Sequence, residues 1–87
     1  MQYTISLNYK GKSFSDIFTR RDHAAAYLEK TARRIVRGEA NLDTRRGVDF
    51  VNEADWLAGC LRDRLSPGVY DSVECSPGFK IRVRVAA

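Results

Sequence analysis

Hydrophobic and polar positions alternate with period two at both ends of the chain and follow a helical period between them. At the start, Tyr3, Ile5, Leu7 and Tyr9 fall on one face of an extended segment and Thr4, Ser6 and Asn8 on the other. That spacing predicts a half-buried strand. Lys10-Gly11-Lys12 supplies a turn, because Gly11 accepts a positive φ without steric cost. Ser13 to Phe18 then reads as the returning strand, with Phe14 and Phe18 as its core anchors. At the other end, Phe79-Lys80-Ile81-Arg82-Val83-Arg84-Val85 alternates without a break, so a strand there buries its apolar side chains and projects a ladder of cations.

The middle of the chain predicts two helices. Thr19 is placed as an N-cap with Asp22 closing a capping box, and Ala24, Leu28, Thr31, Ala32 and Ile35 form one apolar stripe ending at Gly38. The polar segment from Glu39 to Phe50, with Asp43-Thr44-Arg45-Arg46-Gly47 at its centre, reads as an exposed loop. Asn52 is the predicted second N-cap, with Val51 and Trp56 as a hydrophobic staple. The stripe Trp56, Leu57, Cys60, Leu61 and Leu65 then runs to a stop at Ser66-Pro67-Gly68. Val69 to Cys75 is a third strand with Val69, Val73 and Cys75 inward, Tyr70 outward and Asp71 interrupting, and Ser76-Pro77-Gly78 turns it into the last strand.

The order is ββααββ. Hairpins flanking helices predict an α+β two-layer sandwich, a four-stranded antiparallel sheet with two helices on one face. Trp56, Leu28, Ile35, Leu61, Ile5, Leu7, Ile81 and Val83 are expected to share its core, with Trp56 costly to truncate.

Length adds that residues 1–87 form a single domain whose small size leaves stability thin. Pairing with a second copy through the free edge of the second or third strand would supplement it, so a homodimer is an expectation. The net charge of +4 arises from 15 basic and 11 acidic residues, and most of the cations are Arg. The guanidinium fork suits carboxylates, phosphates and aromatic faces, which fits a recognition surface. Cys60 and Cys75 fall on core-facing positions and form no C-x-x-C pair, so reduced thiols are expected, with no metal site and no cofactor. The N-terminal sequence has no long apolar run, and a cytoplasmic protein that does not enter a membrane is expected, in the host cytoplasm if phage-encoded.

Three cationic groups are candidate contact sites. They are the strand ladder Lys80, Arg82 and Arg84, the helical row Lys30, Arg33, Arg34 and Arg37, and the loop tip Arg45 and Arg46. The helical row lies opposite the apolar stripe, where charged residues belong in any solvated helix. His23 is the sole histidine, beside Asp22, and no second histidine or Gly-flanked serine accompanies it. The expected function is a small non-enzymatic binding protein that modulates or inhibits a macromolecular partner by surface occupation, the partner being an acidic protein surface or complex. Inhibitors encoded by phages and mobile elements, including anti-CRISPR proteins, share the small size and the lack of catalytic motifs. The alternatives are a nucleic-acid-binding module using the basic C-terminal strand, and a small RNase-like toxin using His23.

Overall fold

A computed structural model describes residues 1–9, 11–38, 44–72 and 79–87. The elements are β1 (Gln2–Tyr9), β2 (Lys12–Phe18), α1 (Arg21–Arg37), α2 (Thr44–Asp63), β3 (Gly68–Asp71) and β4 (Phe79–Ala86). The strands form one antiparallel sheet in the order β2-β1-β4-β3, and α1 and α2 cover one of its faces. This is the α+β two-layer sandwich that the ββααββ pattern predicts. Among the described residues no helix is long and apolar enough to cross a membrane.

The two terminal alternating segments meet at the centre of the sheet. β1 pairs with β4 in the register Thr4↔Arg84, Ser6↔Arg82, Asn8↔Lys80, so Ile5, Leu7, Ile81 and Val83 share the helix-covered side and are buried. A one-residue slip of either strand would turn its apolar row to water, which is why strict alternation specifies this pairing so firmly. β1 also pairs with β2, Tyr9 opposite Lys12, and Gly11 takes a φ of 81° in the turn between them. Phe14 and Phe18 on β2 are half-buried against the rim of the core.

α1 follows its predicted stripe: Ala24, Leu28, Thr31, Ala32 and Ile35 are all buried. Its start differs. The N-cap is Arg20, with no side-chain cap hydrogen bond, so Thr19 and Asp22 do not form the expected box. Gly38 ends the helix as expected, its N–H donating to the Arg34 carbonyl at 3.1 Å, although its φ of −77° is right-handed.

α2 corrects the sequence reading most. It begins at Thr44, so Thr44 to Gly47 are helical rather than loop, and Asn52 lies within the helix instead of capping it. With the helix starting earlier, Val51 and Trp56 are both interior and form no staple. The buried face is Gly47, Phe50, Ala54, Leu57, Ala58 and Leu61. Trp56 is 65% exposed and lies outside the core, Cys60 is only half-buried, and Leu65, beyond the helix, is half-buried too. Phe50 takes the aromatic role: its ring lies 4.4 Å from that of Phe79, which in turn stacks on Tyr9 at 4.3 Å.

β3 is shorter than predicted and its faces are reversed. Val69 is exposed, Tyr70 turns half-buried toward the core, and the Tyr70 hydroxyl donates to the Ser66 carbonyl at 2.6 Å. The expected inward positions Val73 and Cys75 lie outside the described residues.

Candidate functional site

The sheet face not covered by helices gathers side chains from every strand. Strand register arranges them in rows across the sheet: Ile17, Thr4, Arg84 and Val69 in one, then Ser15, Ser6, Arg82 and Asp71, then Ser13, Asn8 and Lys80. Successive cations on β4 are about 6–7 Å apart. Lys80, Arg82 and Arg84 are all exposed, as the alternation predicts. Around them the face is built from short hydroxyl and amide side chains, two of which satisfy each other, Ser13 Oγ donating to Asn8 Oδ1.

The three rungs are not equivalent. Arg82 donates through Nε and Nη2 to the two carboxylate oxygens of Asp71 at 2.7 and 3.0 Å. That hydrogen bond holds the Asp71 carboxyl below its ordinary range and raises the Arg82 guanidinium. Asp71, which breaks the apolar pattern of its strand, is therefore the cross-strand partner of the central rung. Arg84 has no ion-pair partner among the described residues, and Lys80 contributes only a weak field at Asp71. The first row adds a feature the charge pattern does not announce: Ile17 and Val69 are 56% and 55% exposed on either side of Thr4 and Arg84. Ile17 falls outward once Phe14 and Phe18 anchor β2 in the core, whereas Val69 reads as inward from the sequence and only its register with β4 assigns it to the open face.

The helical row does not join this surface. It lies on the opposite layer, and two of its members are occupied. Arg33 is clamped to Asp55 on α2 at 2.8 Å, and the Arg34 guanidinium lies 5.7 Å from the centre of the Phe14 ring. Both contacts follow from the width of the row: Arg33 and Arg34 are its flanks, so one leans toward α2 and the other toward β2. Lys30 and Arg37 are exposed, without an ion pair among the described residues. Arg45 and Arg46 belong to the first turns of α2, not to a loop tip, and their side chains lie outside the description.

His23 is exposed in the first turn of α1 beside Asp22. No cluster of metal-ligating side chains occurs among the described residues. No protein-family model matches this chain, and no curated protein or solved structure matches it either.

Proposed function

We propose that this chain is a small non-enzymatic binding protein that modulates or inhibits a macromolecular partner by occupying its surface, and that the open sheet face makes the contact. The observation behind this reading is the row Ile17, Thr4, Arg84, Val69. It sets a guanidinium with no described partner between two exposed aliphatic side chains on a face that no helix covers. Arg is enriched at the energetic centres of protein interfaces, and apolar area beside it helps exclude water from the contact. With Lys80 on the same face, the complementary surface is acidic. In this reading the chain acts in the cytoplasm of the cell that expresses it, as the short surface-occupying inhibitors of phages and mobile elements do.

A nucleic acid would also meet cations here, but two observations favour protein. The strand aromatics Tyr3, Tyr9 and Phe79 are buried on the other face, so the described part of the open face offers no ring for a base to stack on. Aliphatic Ile17 and Val69, in turn, gain nothing from phosphates.

A photo-crosslinker at Ser6 tests the proposal. In producing cells we expect a discrete protein adduct from Ser6, none from a crosslinker at His23, and loss of the adduct when Lys80→Glu and Arg84→Glu are combined. Arg82 is left intact because reversing it would oppose Asp71 with a like charge. Tight, salt-sensitive binding of the purified chain to random duplex or single strands, falling steeply between about 50 and 200 mM salt, would instead select the nucleic-acid reading.

A further inference from the structure

The remaining exposed apolar side chains within the helices lie on α2. Trp56 is 65% exposed and Val48 51%, on a helix whose other large apolar side chains face inward or are half-buried. Trp is among the residue types most enriched at the centres of protein interfaces, and holding it in water contributes little to this fold. Helical spacing gives its neighbours: Asn52 and Glu53 one turn before, Gly59 and Cys60 one turn after, Asp49 and Asp63 two turns away on either side. A Cβ built on Gly59 would meet nothing within 4 Å, so the helix surface one turn beyond Trp56 is open.

Between Asp49 and Asp63 the charges on the outer stripe of α2 are of one sign. From Asp49 to Asp63, a span of about 21 Å, the outer stripe of α2 holds no cation. The two other charged residues in that span, Asp55 and Arg62, turn toward α1, where they pair with Arg33 and Glu29. Trp56 thus faces away from both the core and α1, on the far side of the molecule from the open sheet face.

We infer that this face of α2 is a second docking surface and that its occupant is a basic segment of a partner protein. Lys or Arg side chains of that segment would reach Asp49, Glu53 and Asp63, while an aliphatic or guanidinium group covers the indole. Indole is the strongest cation–π acceptor among the side chains, and the carboxylates around it select for positive charge. The same charges oppose a symmetric pair of copies: two antiparallel α2 helices centred on Trp56 would set Asp49 of one against Asp63 of the other. The surface is separate from the one proposed above, so either can fail alone.

Trp56 is the only tryptophan, and its emission reports on this surface directly. The full chain is titrated with an amphipathic Leu/Lys helical peptide of about 14 residues, long enough to span the stripe, and with its Leu/Glu counterpart. We expect a saturable shift of emission to shorter wavelength with the Leu/Lys peptide alone. Asp49→Asn combined with Asp63→Asn should weaken binding about tenfold, through two lost charge contacts. Lys80→Glu combined with Arg84→Glu should leave it no weaker. Trp56→Ala, with its circular dichroism unchanged, should lose binding of the fluorescently labelled peptide by anisotropy. Equal response to both peptides, or undiminished binding in the Asp49→Asn, Asp63→Asn chain, would overturn the inference. A shift that appears without peptide as protein concentration rises would assign the face to a second copy.

Discussion

Arg33 and Asp55 tie the two helices together. The guanidinium Nη1 and Nη2 donate to the two Asp55 carboxylate oxygens at 2.9 and 2.8 Å, and Arg33 Nη1 also reaches the Glu29 carbonyl at 3.2 Å. One turn earlier on α1, Glu29 accepts the Nη1 and Nη2 donors of Arg62 at 2.9 and 2.6 Å. The charges are opposed, so each helix offers one acid and one base across the seam. Shifting α2 by a turn would break both pairs, so the two clamps agree with the register that the buried stripe of α2 sets.

The Arg33–Asp55 pair should contribute to stability modestly, because both side chains remain partly in water. A double-mutant cycle of Arg33→Ala and Asp55→Ala, read by urea unfolding, should give a coupling of about 0.5 kcal/mol. A coupling near zero would mean the clamp sets geometry only.

Glu29 makes the same seam sensitive to acid. The Arg62 hydrogen bond holds its carboxyl below the ordinary value of 4.5. A depressed folded value means that its contribution is complete above 4.5 and is lost as pH falls through the lowered folded value. The melting temperature should accordingly drop between about pH 5 and pH 3, and Glu29→Gln should drop less over that interval while starting lower. An identical fall in both chains would place the acid sensitivity elsewhere.

Phe50 and Trp56 should respond to truncation in the reverse of the order their sequence positions suggest. Phe50→Ala removes a buried ring packed on Phe79 and should cost about 3–5 kcal/mol. Trp56→Ala removes an exposed one and should cost less than about 1 kcal/mol. Chemical denaturation of the two variants decides between them.

Asp16 should limit association through the longer free edge of the sheet. Its Oδ1 accepts the Ile17 N–H at 2.8 Å, occupying a backbone donor that an added strand would require. It also puts a charge on the helix side of an edge strand, opposite Ile5 on β1. Light scattering at micromolar concentration should return a larger mass for Asp16→Ala than for the parent chain of 9.9 kDa. Equal masses would show that the edge is guarded by something else.

The sequence by itself determined the element order, the sheet and the cationic ladder. Alternation has only two phases, and in Tyr3 to Tyr9 and Phe79 to Val85 large side chains mark one of them at every second position. Helix phase was legible for α1 for the same reason, with Leu28 and Ile35 as its markers. In α2 the buried stripe runs through Gly47, Ala54 and Ala58, which carry little hydropathy, so the most apolar ring, Trp56, gave the wrong phase. Only the tertiary structure decided which cations are occupied, because their partners are distant: 11 residues separate Asp71 from Arg82, and 22 separate Arg33 from Asp55. Local spacing places a charge on a face, whereas the chain's return path decides what stands opposite it. The row that joins Arg84 to Ile17 and Val69 exists only because four strands from the two ends of the chain settle into one register.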